Sequence, residues 1–238
     1  MTKPTALATG IGSAAIVCGL LALASPPLPC ALLTWTALSC ALVAMAYAAN
    51  VPAVYGKRDG VLPWHRRVLL GPFLAAFSIA CGLMRRSRKL PPASLIMPGL
   101  YVGGRIDPGD LPGDVSMVID LVAEFSEPRE IREMSGYRSM PVLDGGYAPD
   151  EESFDELLRE VAATDEVVLV HCDSGKGRAA TFAALLLVHR GLADDPAAAV
   201  DILRSARPAV APTRSDFIFM TRMISHDPAD RVPERRSA

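Results

Sequence analysis

The stretch Val167-Val-Leu-Val-His-Cys-Asp-Ser-Gly-Lys-Gly-Arg178 decides the fold. Its first four residues are β-branched or aliphatic, as in a buried strand, and the apolar segment 179–189 after it has the length of a helix. Gly175 and Gly177 let the loop between the strand and the helix curl without Cβ clashes. A strand, a tight loop and a helix N-terminus form an anion site, because loop amides point inward and the helix dipole favours negative charge.

The polar residues of this loop have predicted roles in binding a phosphate. The planar guanidinium of Arg178 can hold two phosphate oxygens at once. Cys172 follows the strand at the base of the loop, where the amide dipoles and Arg178 favour the thiolate form. The sequence therefore predicts that Cys172 is a nucleophile directed at phosphorus. The predicted phosphate-binding residues are Asp173, Ser174, Gly175, Lys176, Gly177 and Arg178.

The order His171-Cys172, five residues and Arg178 resembles the signature of the cysteine-dependent protein tyrosine and dual-specificity phosphatases. Leu100-Tyr-Val-Gly-Gly104 is similar to the opening strand of that family, and Ala206-Arg-Pro208 is similar to a helix end. The resemblance covers about residues 95–225. It implies a membrane-anchored, bacterial-type member that hydrolyses phosphomonoesters through a cysteinyl-phosphate, with neither a metal nor a cofactor.

The resemblance also implies an aspartate on a separate loop that protonates the leaving oxygen. Asp144 ends a predicted strand and begins a glycine loop, so it is the favoured acid, and Asp150 is the alternative. A turn residue without chemistry is the other interpretation of Asp144. Glu151 and Glu152 are expected to be charges at a helix N-terminus. We expect His171 to be a buried residue that orients the loop and not a general base.

The substrate class is implied only by the resemblance. Phosphorylated proteins are the default of the dual-specificity family. The segment Gly-Lys-Gly-Arg at 175–178 is similar to the phosphoinositide-directed branch, where a loop lysine such as Lys176 binds a further phosphate. Asp173 stands where that branch often has a second lysine, and Lys176 can instead be a solvated charge that balances Asp173. A phosphoinositide or phosphatidylglycerophosphate is therefore the first alternative substrate, and a weakly active module that captures phosphorylated partners is the second.

One residue departs from the family pattern. The position after the arginine is usually Ser or Thr, whose hydroxyl helps the thiolate leave during hydrolysis. Here it is Ala179, with Thr181 two residues further on. We expect formation of the phosphoryl-enzyme to survive this change and its hydrolysis to be slowed.

The front of the chain is strongly apolar. The chain has 238 residues, half of them hydrophobic, and a mean hydropathy of +0.27. The uncharged runs 5–24 and 30–49 are each long enough to cross ~30 Å of hydrocarbon, so two spans are predicted. A cleaved signal peptide is the alternative for the first run. A third run, 68–84, is shorter and contains Gly71-Pro72, which predicts either an interfacial helix kinked at Pro72 or a third span.

Charge divides the chain into a membrane region at 1–89, a phosphatase domain at 90–227 and a disordered tail at 228–238. The first region carries nine Lys and Arg and one Asp, and the remainder carries fifteen basic and twenty-five acidic residues. The basic residues suit anionic lipid headgroups, and the acidic remainder argues against nucleic acid as a partner. If the third run does not cross, the phosphatase domain of this integral membrane protein lies in the cytoplasm. The sequence does not indicate an oligomeric state.

Cysteine usage agrees with a reducing compartment, because Cys172 is the only cysteine outside the apolar runs. Strand-like segments at 97–105, 115–121, 137–143 and 167–170 alternate with a short helix or turn at 129–134 and with helical segments at 153–163 and 179–189, and two more helical segments close the domain at 196–206 and 215–225. This order predicts an α/β fold with a mostly parallel central sheet flanked by helices, preceded by an N-terminal transmembrane helical region. In such sheets ligands bind at the carboxyl ends of the strands.

Overall fold

The protein is described by a computed structural model that covers residues 3–87, 90–148 and 150–225. The predicted disordered tail at 228–238 lies outside the described residues, as do the basic residues Arg88 and Lys89. The description therefore includes the phosphate loop, both long apolar runs and the loop that carries Asp144.

Two long helices form at the front of the chain, α1 (Lys3–Leu23) and α2 (Pro27–Ala49), and they pack against each other. Both are long and apolar enough to cross a membrane. Asn50 ends α2 in the left-handed conformation, with φ of 53°, and its N–H bonds to carbonyls of the last turn. The observed bounds lie within three residues of the predicted runs 5–24 and 30–49.

The third apolar run is divided into α3 (Trp64–Leu69) and α4 (Gly71–Ser87). The break lies at Leu70, two residues before the expected kink, because Pro72 fits the first turn of the new helix. One face of α4 packs on the body of the protein, where Phe77 stacks on Phe125 with ring centroids 5.5 Å apart. The opposite face, with Ile79 and Leu83, is exposed. In the described part of the chain, α1 and α2 meet the length and hydropathy required of a span and α4 does not.

The central sheet has five strands in the order β1-β2-β5-β3-β4. Only β1 and β2 pair antiparallel, and the other neighbours are parallel, which confirms the mostly parallel sheet. The predicted strand at 97–105 is wrong in its bounds, because Gly99, with φ of 84°, turns the chain between two strands. The strands are β1 (Ala93–Met97), β2 (Leu100–Gly103), β3 (Met117–Val122), β4 (Gly136–Val142) and β5 (Val168–His171).

Helices cover the sheet, and α7, directly after the phosphate loop, is buried along most of its length. Asp150 and Asp195 cap α6 and α8, since each carboxylate accepts a hydrogen bond from a backbone N–H of the first turn. Because β2, β3, β4 and β5 run parallel, the loops after them meet at one edge of the sheet. The helices of this part are α5 (Arg129–Arg132), α6 (Glu151–Ala163), α7 (Arg178–His189), α8 (Pro196–Ala206) and α9 (Arg214–Ser225).

The N-terminal region and the body of the protein share a hydrophobic core. One cluster of buried residues joins the end of α2, the connection after it and α4 to the loops that follow β3 and β4. Buried contacts therefore join the residues on the two sides of residue 89. The members of this cluster are Val43, Tyr47, Tyr55, Leu62, Leu70, Phe73, Ala123 and Leu143.

A buried ionic cluster connects the same N-terminal region to the sheet. The Lys57 ammonium donates to Asp120 Oδ2 and to the Val122 carbonyl, both at 2.6 Å, and both charged side chains are fully buried. The Tyr137 hydroxyl donates to the same carboxylate oxygen at 2.6 Å. His171 Nε2 lies 3.9 Å from Asp120 Oδ1 and 3.7 Å from Glu127 Oε1. Lys57 thus supplies the positive charge that the buried carboxylate of Asp120 requires.

Burial sets the protonation states in this cluster. It raises the pKa of Glu127 to about 8, and the negative charge of Asp120 acts in the same direction. Burial lowers the pKa of His171. Burial alone would raise the pKa of Asp120, but Lys57 and His171 hold it below its usual value. At neutral pH the carboxyl of Glu127 is therefore protonated and His171 is neutral.

We expect the contribution of Glu127 to the stability of the protein to fall between about pH 4 and pH 8, because over this range the unfolded state has released a proton that the folded state still holds. Its folded pKa of about 8 lies above the unfolded value of about 4.3, so the folded state holds a proton that the unfolded state releases. The stabilisation is complete below the unfolded pKa and is lost as the pH rises through 8. Glu127→Gln removes this slope, which melting temperatures of the full-length protein in detergent measure.

Glu133→Gln is the matched control, because Glu133 is an exposed glutamate that pairs with Arg129 on the surface. This variant should keep the wild-type dependence of melting temperature on pH. A wild-type slope in Glu127→Gln would contradict the protonated state of Glu127.

Candidate active site

The phosphate loop lies between β5 and α7, beside the end of β2. The Cys172 N–H donates to the Gly103 carbonyl at 3.3 Å, and the Arg105 N–H donates to the Asp173 carbonyl at 3.3 Å. Gly175 has φ of +66°, and a Cβ at this position would lie 2.5 Å from the Gly103 carbonyl carbon. Glycine is therefore required here for both its conformation and its size.

The sulfur of Cys172 points into the loop. Its Sγ accepts a hydrogen bond from the Gly175 N–H at 3.2 Å, and the residue is 2% exposed. An amide that donates to sulfur stabilises the thiolate more than the thiol. The local fold thus brings the sulfur and the loop amides together, in the arrangement predicted for a nucleophile.

Arg207 binds the outer side of the loop. Its guanidinium donates to the carbonyls of Gly175 at 3.1 Å and Ser174 at 3.3 Å, and also to Ser94 Oγ at 3.0 Å. Because these carbonyls are held on the outside, the N–H groups of the same peptides are directed toward the hollow of the loop. In the sequence, Arg207 was noted only within the segment 206–208 that resembles a helix end of the family. Its contacts with the loop could not be predicted, because they join residues that are far apart in the chain.

The guanidinium of Arg178 forms its hydrogen bonds through one of its nitrogens. Its Nη1 donates to Glu124 Oε2 at 3.0 Å and to the carbonyls of Val142 at 2.5 Å and Leu121 at 3.3 Å. Among the residues that the structure describes, none forms a hydrogen bond with its Nε or Nη2, although Nη2 lies 3.6 Å from Asp144 Oδ1. A phosphate with two oxygens facing the Nε and Nη2 edge would satisfy both donors. Burial alone would lower the pKa of Arg178, but the carboxylates of Glu124 and Asp144 hold it above its usual value.

Glu124 is a residue of the site that the sequence analysis missed. It is fully buried, and while Oε2 accepts from Arg178, Oε1 accepts from the Asp144 N–H at 2.8 Å and the Tyr47 hydroxyl at 3.0 Å. One carboxylate thus connects the candidate arginine, the loop of the candidate acid and helix α2. The sequence does contain one sign of this role. A glutamate within the apolar run 117–125 is expected to be buried, and a buried charge requires a partner.

The two candidate acids lie in different surroundings. Asp144 is partly exposed and its Oδ1 lies 3.6 Å from Arg178 Nη2, at the mouth of the phosphate loop. Asp150 caps α6 through Ser153, whose backbone N–H and hydroxyl lower the pKa of the Asp150 carboxyl. Because Asp150 is engaged at a helix end and Asp144 lies beside Arg178, the geometry favours Asp144 as the acid. Glu151 and Glu152 lie in the first turn of α6, as predicted, and Glu151 pairs with Arg222.

The remaining predicted residues surround the loop. His171 is fully buried and has no hydrogen-bond partner on either ring nitrogen. It lies with Asp120 and Glu127 close enough for the three side chains to share a metal ion, but the ammonium of Lys57 already neutralises Asp120. Lys176 is half-exposed and forms no ion pair with Asp173 within the described part of the chain. Ala179 is fully buried in the first turn of α7.

Helix α4 forms a wall next to the loop. Burial raises the pKa of the Cys81 thiol to about 12, and the neighbouring carboxylate of Asp173 acts in the same direction. A cavity of about 630 Å³ separates α4 from Asp173 and Ser174, and Arg85 and Arg105 line it. Burial and the charge of Arg85 lower the pKa of Arg105, whose guanidinium lies over the Phe125 ring at 4.1 Å from its centroid. Asp107, Asp110 and Asp173 also line the cavity, so it presents both basic and acidic groups beside the phosphate loop.

Comparison with known proteins identifies the domain. Residues 115–224 match the family model described as Swiss Army Knife protein, DSP-PTPase phosphatase domain. No curated protein matches the chain. The matched segment begins after α1 and α2, so the similarity carries no information about a membrane-anchored, bacterial type.

Solved structures with the same fold include three phosphatase-like proteins. Human tyrosine phosphatase-like serine/threonine/tyrosine-interacting protein has a TM-score of 0.50 at 17% identity, over 57% of this chain and 97% of its own. Human DUSP28 has a TM-score of 0.47 at 21% identity, over 58% of this chain and 95% of its own. PTPMT1, in a complex with PI(5)P, has a TM-score of 0.48 at 14% identity, over 56% of this chain and 95% of its own. Residues 115–224 match this family model, and the strand, phosphate loop and helix that they contain form a phosphatase domain of the dual-specificity type.

Proposed function

We propose that the protein hydrolyses phosphomonoesters through a cysteinyl-phosphate formed on Cys172, next to a membrane. The observation that carries this proposal is the position of the Cys172 sulfur, which accepts the Gly175 N–H inside the loop. The Nε and Nη2 edge of Arg178 lies at the same loop. These two features give a phosphate both its nucleophile and its binding groups.

In the first step, the thiolate of Cys172 attacks phosphorus and the bond between phosphorus and the ester oxygen breaks. The loop amides and the Nε and Nη2 groups of Arg178 stabilise the charge on the phosphoryl oxygens. Asp144 donates its proton to the leaving oxygen, which departs as an alcohol or a phenol. The contact of Asp144 with Arg178, at 3.6 Å, supports its position near that oxygen.

In the second step, water attacks phosphorus, the bond between sulfur and phosphorus breaks, and inorganic phosphate is released. The carboxylate of Asp144 accepts the proton of the water. The thiolate leaves with the Gly175 N–H as its hydrogen-bond donor. Ala179 has no hydroxyl to assist this departure, so hydrolysis of the intermediate is the slower step.

Phosphorylated proteins are the proposed substrates, since the protein is a phosphatase of the dual-specificity type. A phospholipid is the second candidate, and the cavity between α4 and the phosphate loop favours it. Arg85 and Arg105 line this cavity, and the exposed face of α4 carries Ile79 and Leu83. Basic and apolar groups together suit the headgroup and the glycerol end of an anionic lipid.

The proposed topology has α1 and α2 crossing the membrane and the phosphatase domain in the cytoplasm. Their length and apolar character support the two spans. The basic residues Lys57, Arg58, Arg66 and Arg67 follow α2 directly, as expected for a cytoplasmic connection. The packing of Phe77 on Phe125 supports a position of α4 on the domain and not across the bilayer.

Replacement of the nucleophile tests the function. We expect Cys172→Ser to lower the rate on a chromogenic aryl phosphate by about 10³-fold or more, because a neutral hydroxyl replaces a thiolate. Wild type quenched in acid during turnover should retain phosphate on the protein. Cys18→Ser, a change in α1, is the control and should leave the rate unchanged. Phosphatase activity that survives Cys172→Ser would refute the mechanism.

The same pair of proteins distinguishes the substrate classes. We expect wild type to release phosphate from phosphotyrosine and phosphoserine peptides, and Cys172→Ser to release none. Activity on vesicles containing a phosphoinositide or phosphatidylglycerophosphate, with none on the peptides, would replace the protein substrate by the lipid one. Binding of phosphopeptides with at most one turnover would indicate a capture module.

The general acid is tested by changing the leaving group. Asp144→Asn should lower kcat/KM on phenyl phosphate by about 10²-fold and kcat/KM on p-nitrophenyl phosphate far less, since kcat/KM reports formation of the phosphoryl-enzyme and the nitrophenolate leaves without a proton. Asp150→Asn is the matched control, because asparagine caps a helix as well as aspartate does. If Asp150→Asn slows phenyl phosphate more than p-nitrophenyl phosphate and Asp144→Asn does not, the acid is Asp150.

A serine at position 179 should accelerate turnover. Ala179→Ser supplies a hydroxyl that donates to the departing thiolate, so the steady-state rate should rise by roughly 2- to 10-fold. The burst of product in pre-steady-state measurements should shrink accordingly. Ala180→Ser, at the next buried position of α7, controls for a hydroxyl in this helix and should not raise the rate. No gain in Ala179→Ser would mean that hydrolysis of the intermediate is not limiting.

A further inference from the structure

The end of α2 contacts the groups that hold the candidate catalytic residues. Tyr47 lies in the last turn of the helix and Asn50 ends it, and both side chains reach the loops at the carboxyl edge of the sheet. These contacts join positions 77 and 97 residues apart in the chain. Tyr47 and Asn50 lie outside the segment 115–224 that matches the phosphatase family.

Tyr47 acts on the glutamate that holds Arg178. Its hydroxyl donates to Glu124 Oε1 at 3.0 Å, and Oε2 of the same carboxylate receives Arg178 Nη1 at 3.0 Å. Tyr47 is 2% exposed and Glu124 is fully buried, so water does not replace either donor. With both oxygens bound, the carboxylate plane is fixed, and this plane sets the direction of the guanidinium.

Asn50 acts on the loop that carries Asp144. Its Nδ2 donates to the Tyr147 carbonyl at 3.0 Å. The side chain also packs closely on the same loop, since a Cβ at Gly146 would lie 2.5 Å from Asn50 Oδ1. The loop begins at Asp144, whose N–H is bound to Glu124 at 2.8 Å. The segment from Asp144 to Tyr147 is thus held at its first residue by Glu124 and at its last by Asn50.

We propose that Tyr47 and Asn50 are positioning residues, Tyr47 for Arg178 through Glu124 and Asn50 for Asp144 through the Tyr147 carbonyl. Helix α2, one of the two helices that could cross a membrane, is then part of the competent active site. This inference rests on the proposed roles of Arg178 and Asp144. It predicts that phosphate binding and protonation of the leaving group each depend on one residue of α2.

Tyr47→Phe in the full-length protein in detergent tests the first part. Loss of one buried hydrogen bond should lower kcat/KM on p-nitrophenyl phosphate by about 3- to 10-fold. The affinity for vanadate, which adopts the five-coordinate geometry of the transition state, should fall by the same factor. Tyr101→Phe is the matched control, because it removes a tyrosine hydroxyl that donates to Asp114 and not to Glu124. It should preserve both quantities.

Asn50→Gly tests the second part. Glycine keeps the left-handed conformation that ends α2, but it removes the amide that binds the Tyr147 carbonyl. The value of kcat/KM on phenyl phosphate should fall more than kcat/KM on p-nitrophenyl phosphate, with vanadate affinity preserved. A general loss of structure would lower both values by the same factor, and melting temperatures of all variants record it separately.

A double-mutant cycle completes the test. If Tyr47 acts through Glu124, Tyr47→Phe should have no further effect on vanadate affinity in the Glu124→Ala background. Full vanadate affinity in the Tyr47→Phe single variant, or equal losses in both backgrounds, would overturn the role of Tyr47. Equal losses on both substrates in Asn50→Gly would overturn the role of Asn50. A wild type that is inactive on every phosphate ester would refute the proposed function instead, which separates the two failures.

Discussion

The buried ion pair between Arg178 and Glu124 is the constraint on which the site depends. A guanidinium that is 5% exposed needs a partner, and removing one partner of a buried pair costs about 3–5 kcal/mol because the other charge stays uncompensated. Glu124 and two backbone carbonyls accept hydrogen bonds from Nη1 alone. The Nε and Nη2 edge of the guanidinium therefore remains available to a ligand. Full pairing would stabilise the protein further but would leave no group for a phosphate.

The short-range part of the site could be predicted from sequence. The order of strand, glycine loop and helix specifies where Cys172, Gly175 and Arg178 lie relative to one another, because only local backbone geometry is involved. The parallel sheet followed from strands that alternate with helices, and the structure confirms it. Asp144 was predictable as a loop residue after β4, although its contact with Arg178 depends on the pairing of β4 with β3 and of β3 with β5.

The parts that escaped prediction depend on contacts between distant segments. Glu124, Arg207 and Lys57 each bind groups more than 30 residues away, and no periodicity in the sequence records such pairs. Strand β1 was missed because most of it lies ahead of the predicted strand at 97–105, and Gly99 turns the chain between two very short strands. Hydropathy marked the run 68–84 as apolar, but apolar surface is buried equally well by lipid and by protein, so the packing of α4 on Phe125 could not be foreseen.

The shared core between the N-terminal region and the domain limits how the domain can move relative to a membrane. Tyr47, Tyr55 and Phe73 pack with Ala123 and Leu143, and Lys57 adds a buried charge pair with Asp120. A flexible tether would have let the domain turn freely, whereas a packed interface with a buried ion pair separates only at the expense of uncompensated charge. If α2 crosses a bilayer, its end therefore fixes the distance and the orientation of the phosphate loop relative to the lipid surface. Such a geometry suits substrates that are themselves held at that surface, because enzyme and substrate then meet without a search through the bulk solution.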